Sequence, residues 1–132
     1  MNTEIFRQAI NSTSSVAHDW FSERAIKKTK KDWGLRNALE DQASGAVYAF
    51  FGKDGNCLYV GQTTQKLKVR ALAQTSRHYK TDWWEKWSTL KFINISDKTD
   101  QLVLEMLLII ALEPEYNIKP ACRKINQMYL TR

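Results

Sequence analysis

The sequence predicts an α+β fold. Two short strands, Ala46-Val47-Tyr48 and Tyr59-Val60-Gly61, flank an Asp54-Gly55 turn; an apolar helical run, Leu102 to Leu112, stops at Pro114; and the first 44 residues carry helical periodicity with little strand signal. A chain of 132 residues with 43% hydrophobic content is long enough for one compact core.

Asp-Gly favours a two-residue type I′ turn, which needs positive φ at both central positions. That turn pairs Lys53 with Asn56, Phe50 with Tyr59 and Tyr48 with Gly61. Paired residues share a face and side chains alternate along a strand, so Tyr48 and Tyr59 project together, and Gly61 leaves space beside Tyr48. One strand tyrosine is an ordinary β-former. Two on one face beside a glycine are more specific.

Thr63 or Thr64 is placed to cap a helix beginning near Gln65, with Leu67, Ala71 and Leu72 toward the core. Arg70, Gln74 and Arg77 form its polar stripe. Trp83 and Trp87 then fall at helical spacing, which suits core packing; interleaved with Arg77, Tyr79 and Lys80, they also suit stacking on unpaired bases. Lys91 to Ile95 alternates as a third strand.

Ser96, Asp97 and Thr99 are cap candidates for the apolar helix, whose composition predicts burial on every side. Its one charge is Glu105. A carboxylate there is costly unless it is paired or holds a metal, the alternative being a rim position facing water or an arginine. Glu113 to Pro120 reads as an ordered loop returning the chain to the same region.

At the N-terminus, caps are expected near Thr3 and Ser14, and Val16, Ala17, Trp20 and Phe21 form a stripe that docks on the core. Arg24, Lys27, Lys28, Lys30, Lys31 and Arg36 concentrate positive charge in a chain of net charge +6 and pI near 9.4. Such a balance favours a polyanion. Lys27, Lys28, Lys30 and Lys31, with Lys66, Lys68 and Arg77, are candidate nucleic-acid contacts. The sequence shows no signal pattern and no membrane-spanning run, and Cys57 and Cys122 read as reduced thiols, so a cytoplasmic location without membrane association is expected. Two cysteines make no zinc site on their own.

Hydrolysing a phosphodiester needs a base for the attacking water, a cation on the phosphate and a carboxylate for a divalent metal. Tyr48 or Tyr59, Arg70 and Glu105 supply a candidate for each. As an ordered set these residues resemble the GIY-YIG nuclease family. The first motif matches Ala46-Val47-Tyr48 and the second Leu58-Tyr59-Val60-Gly61-Gln62-Thr63; the arginine matches Arg70, the metal glutamate Glu105 and the late asparagine Asn117. The resemblance runs from Gly45 to Pro120.

It implies a small three-stranded antiparallel sheet flanked by helices; with the helical, basic character read from the first 44 residues, the expected organisation is an N-terminal extension over 1–44 and the nuclease domain over 45–132. It also implies single-metal hydrolysis of nucleic acid, DNA being favoured over RNA. Glu105 would bind Mg²⁺ or Mn²⁺, Arg70 would stabilise the phosphate, and Asn117 would order the site or touch the backbone. Tyr48 would take the water's proton with Tyr59 assisting, and a tyrosine pKa of about 10 requires nearby cations for that role.

Four departures stand out. Ala46 replaces the first glycine, with Gly45 one position earlier; the gap from Tyr59 to Arg70 is one residue longer than the commonest spacing; Gln62 stands where some members carry lysine; and Gln74 stands where many carry His or Tyr. His78 and Tyr79, about one turn on, are the substitute candidates if the helix bends or ends there. The alternatives to an endonuclease are a binding module of the same fold with weak or no cleavage, and a subunit whose N-terminal helices bind protein. A homodimer is compatible with each.

Overall fold

The computed structural model describes residues 1–33, 44–67 and 81–117. Lys68, Arg70, Gln74, Arg77 and His78 lie outside them. Helix α1 (Glu4–Arg24) leads through strand β1 (Ile26–Thr29) and a single helical turn α2 (Lys30–Trp33) to β2 (Ser44–Gly52), β3 (Cys57–Lys66), β4 (Trp87–Asn94) and helix α3 (Lys98–Leu112). The α+β class is as predicted. All strand pairs are antiparallel, in the order β1-β4-β2-β3.

The fourth strand comes from the segment expected to be helical. Helix α1 ends at Arg24, Ala25 is extended (φ −65°, ψ 142°), and Ile26 to Thr29 pair along β4 from Phe92 to Thr89. β-Branched Ile26 and Thr29 fit a strand, but the decisive partner is the β4 edge, far later in the sequence. Upstream, α1 is one continuous helix instead of two capped segments. Thr3 makes no side-chain cap bond, and Asn2 Oδ1 accepts the Glu4 N–H instead (2.9 Å). Ser14 is mid-helix, its hydroxyl donating back to the Asn11 carbonyl at 2.9 Å.

The β2–β3 hairpin keeps the predicted register through a different turn. Gly52 N–H donates to Asn56 O (2.9 Å) and Gly55 N–H to Gly52 O (3.0 Å), so the loop is Lys53-Asp54-Gly55. Gly55 has φ +86° whereas Asp54 does not have positive φ, the pattern of a type I turn closed by a left-handed glycine. This shifts the pairing to Phe51↔Cys57, and a bulge at Leu58 restores Phe50↔Tyr59 and Tyr48↔Gly61. β3 then continues extended to Lys66, opposite Ser44, so the helix expected near Gln65 starts no earlier than Leu67, which is helical and buried as expected; Ala71 and Leu72 lie outside the described residues. Thr63 does bond the Gln65 N–H through its hydroxyl (3.0 Å), but in a strand.

β4 starts four residues before the predicted Lys91. The Trp83–Trp87 stretch is turn, closed by Trp84 N–H to Thr81 O and Lys86 N–H to Trp83 O, with Trp87 opening the strand. The sheet has two cores. On one face Ala46, Tyr48, Phe50, Leu58, Leu90 and Phe92 pack with Trp83, Trp84 and Trp87; on the other Val47, Ala49, Cys57 and Val60 pack against Phe21 of α1 and Leu104, Leu108 and Ile109 of α3.

α1 packs along α3. Of its predicted stripe, Phe21 is buried and Ala17 packs on the core, while Val16 and Trp20 are exposed. α3 itself is covered on one side only: Leu102, Val103 and Met106 are about half exposed. Composition alone could not say which flank the sheet would cover. Asp97 caps α3, accepting the Asp100 N–H at 2.8 Å, and Glu113 ends it in the left-handed region (φ 51°).

Candidate active site

β2 and β3 set the tyrosines side by side, with ring centroids 6.3 Å apart. Tyr48 is 1% exposed and meets Phe50 edge-on at 5.8 Å. A Cβ on Gly61 would lie 2.6 Å from Tyr48 Cζ and Oη, so the ring occupies the space that glycine leaves. Tyr59, half-buried, stacks on Trp83 at 5.2 Å with an interplanar angle of 11°. Trp83, Trp84 and Trp87 are all buried. They form the floor under the tyrosines, which settles their role as core.

Asn117 lies against the outer edge of β3. Its Oδ1 accepts the Val60 N–H (2.9 Å) and its Nδ2 donates to Val60 O (2.8 Å), so the amide pairs with Val60 as a strand residue would. Glu115 N–H to Cys57 O and Tyr116 N–H to Leu58 O precede it. The returning loop thus covers the β3 edge up to Val60, next to Tyr59. Asn117 orders the strand, and both ends of its amide are used in doing so.

Glu105 sits on α3, half-buried, with its Oε2 shut off from solvent. Its helix packs against the sheet face opposite the tyrosines. Gln62, paired with Val47, also projects from that face, whereas Tyr48 pairs with Gly61 on the other. Among the described residues no three His, Cys, Asp or Glu side chains converge as a metal cage. A single buried hard-oxygen donor fits Mg²⁺ or Mn²⁺, since Mg²⁺ commonly takes one or two protein carboxylates and completes its shell with water and phosphate.

The basic segment divides between the faces. Lys28 pairs with Leu90 and so shares the tyrosine face, whereas Lys27 pairs with Lys91 and lies on the helix face. Lys30 reaches the aromatic floor, its Nζ 3.2 Å from Trp84 O and 5.3 Å above the Trp87 ring. Lys31 and Lys66 are exposed. Lys86, which no sequence pattern singled out, donates to Tyr116 Oη at 2.7 Å, and that bond raises its pKa. The contact links residues thirty positions apart through the returning loop, so local sequence carries no sign of it. Burial pushes the Cys57 thiol up to about 12, leaving it protonated and unreactive at neutral pH.

No helix of the described residues is long and apolar enough to cross a membrane. Residues 44–118 match the UvrC-like GIY-YIG domain. The chain is also similar to two proteins named UvrABC system protein C: that of Flavobacterium psychrophilum, 38% identical over 76 residues, and that of Flavobacterium johnsoniae, 37% identical over 76 residues. Each alignment covers 54% of this chain, and the chain covers only 12% and 13% of the respective relatives. No solved structure matches the chain. With a paired-tyrosine hairpin, a glutamate-bearing helix and an asparagine-pinned edge inside a match over residues 44–118, the chain belongs to the UvrC-like GIY-YIG domain family, a family of nuclease domains.

Proposed function

We propose that the protein is a divalent-metal-dependent endonuclease that hydrolyses phosphodiester bonds in nucleic acid, with DNA preferred. The observation that carries this reading is the pair Tyr48 and Tyr59 on one face, with the Tyr48 ring seated over Gly61, inside the family match. DNA is preferred because the match is to a UvrC-like domain, while the chain's +6 charge favours a polyanion, DNA and RNA alike.

In this reading Tyr48 takes the proton of the attacking water and Tyr59 assists, while Arg70 neutralises the phosphate. Glu105 would hold the ion. Bound there, Mg²⁺ or Mn²⁺ supplies charge stabilisation at the scissile phosphate. β3 carries Tyr59 on one face and packs by Val60 against α3 on the other, so the reading puts cleavage at the β3 rim beside Gly61, where the two faces adjoin. Asn117 holds that rim in place. Gln62, Gln74 and His78 are auxiliary candidates; residues 1–44 act as a basic extension of the nuclease domain 45–132, in a cytoplasmic protein.

The test is incubation of the pure protein with plasmid, single-stranded DNA and RNA in Mg²⁺, Mn²⁺ or EDTA. Metal-dependent nicking that EDTA abolishes is expected, and binding without cleavage under every condition would overturn the endonuclease. The second reading, a binding module that cleaves poorly, is favoured by Gln74 standing where many members have His or Tyr.

A further inference from the structure

Gln101 is fully buried one helical turn before Glu105, and it was not among the residues expected at the site. Its Nε2 donates to Ile95 O at 2.6 Å. Ile95 in turn donates its N–H to Gly45 O (3.2 Å), which also accepts from Asn94 Nδ2 (3.1 Å). Gly45 has φ +92°, and a Cβ there would lie 2.5 Å from Ile95 O and 2.9 Å from Gln101 Nε2. The first turn of α3, the end of β4 and the start of β2 are therefore packed at one point. Three residues after Gly45 comes Tyr48.

The amide's orientation follows from its partner: Ile95 O requires a donor, so Oε1 points elsewhere. That Oε1 is shielded from solvent and accepts no hydrogen bond among the described residues. An aliphatic side chain would fill the position without burying an Oε1, but it would take away the donor to Ile95 O, so what the glutamine adds here is that bond.

We propose that Gln101 is a positioning residue of the cleavage site: its side-chain amide clamps Ile95, and through it Gly45, to the helix that carries Glu105, fixing the glutamate relative to the strand that carries Tyr48. The inference rests on the endonuclease reading above. It also accounts for the glycine at 45, one position before the family's usual place, because the clamp leaves no room there for a side chain.

Gln101→Met keeps the length and removes the donor. With the clamp lost, single-turnover cleavage at saturating protein should fall about 10²-fold, the scale of a small misplacement of catalytic groups. Nucleic-acid affinity should be unchanged and the Mg²⁺ midpoint for cleavage shifted. A merely structural glutamine would lower the urea midpoint and leave the rate per folded molecule and the Mg²⁺ midpoint alone.

A second measurement needs no variant. In an NMR titration of the wild-type protein with Mg²⁺ alone, the Gln101 side-chain amide and the Gly45 and Ala46 backbone amides should shift together with Glu105. Wild-type-like cleavage by Gln101→Met, or a Glu105 response that leaves Gln101 and Gly45 unmoved, overturns the clamp while the endonuclease stands. A wild-type protein that neither cleaves nor responds to Mg²⁺ overturns the endonuclease, and the clamp with it.

Discussion

The Tyr48 ring fills the space above Gly61, its Cζ and Oη 2.6 Å from where a Cβ would stand. Tyr48 is buried against Phe50 and Tyr59, so it has little freedom to yield. Gly61→Ala should therefore cost about 1–3 kcal/mol through overpacking. It should also displace the hydroxyl and slow cleavage at least as much as Tyr48→Phe, for which the range of about 10²- to 10⁴-fold applies to a lost acid–base group. Gly55→Ala is the control. No atom lies within 4 Å of its would-be Cβ, but φ is +86°, so it should lose roughly 1 kcal/mol to strain and keep full activity per folded molecule. Urea melts and single-turnover rates measure both.

Asn117 serves Val60 with both ends of its amide. Asn117→Ala leaves a buried N–H and carbonyl of β3 without partners, and about 2–4 kcal/mol should be lost. Asn117→Asp keeps an acceptor for the N–H but turns an oxygen toward Val60 O, so it should destabilise comparably. Cleavage should fall because Tyr59, the neighbouring residue, loses its strand anchor. A urea midpoint matching wild type in both variants would contradict the pairing.

Much of this arrangement was legible because period-two alternation is local. Tyr48, Tyr59 and Gly61 follow from counting outward from Asp54-Gly55, although the true turn is one residue longer. The bulge at Leu58 cancels that error, and nothing in Cys57-Leu58-Tyr59 announces it. β1 was not legible because Ile26-Lys27-Lys28-Thr29 is a strand only beside β4, and its lysines read equally well as a solvated helix. The exposure of Leu102, Val103 and Met106 was hidden for a related reason: an all-apolar helix does not say how many neighbours it has. The roles of Asn117 and Gln101 lie in bonds to backbone atoms far away in sequence or across a loop, which no pattern of side chains records.

Because Lys28 shares the tyrosine face and Lys27 the opposite one, the basic segment should not act uniformly. Lys28→Ala should lower the slope of log K against log salt by about 0.9, one phosphate contact on duplex DNA, while Lys27→Ala leaves it unchanged. Lys30→Ala should weaken binding and also cost roughly 1 kcal/mol, since its ammonium contacts Trp84 O and the Trp87 ring. Equal slope changes for Lys27 and Lys28 would mean that the nucleic acid wraps the β1 edge instead of lying on one face. Filter binding across a salt series distinguishes the outcomes.

Glu105 places a carboxylate oxygen away from solvent within Leu102 to Leu112, a stretch of α3 otherwise built of apolar side chains. Burying that charge is expensive unless a cation compensates it, and the identity of the cation decides what Glu105→Gln does. If a divalent metal compensates, the amide keeps the shape, removes the ligand charge and abolishes cleavage at every Mg²⁺ concentration, with nucleic acid still bound. The variant should then match or exceed wild-type stability in EDTA, because a neutral amide costs less to bury, and Mg²⁺ should raise the melting temperature of the wild type alone. If a basic side chain compensates instead, the same change leaves that base buried without its partner and lowers the melting temperature even in EDTA. Melts of both proteins with and without Mg²⁺, run beside the cleavage assay, separate these outcomes; normal cleavage by Glu105→Gln would remove Glu105 from the metal site altogether.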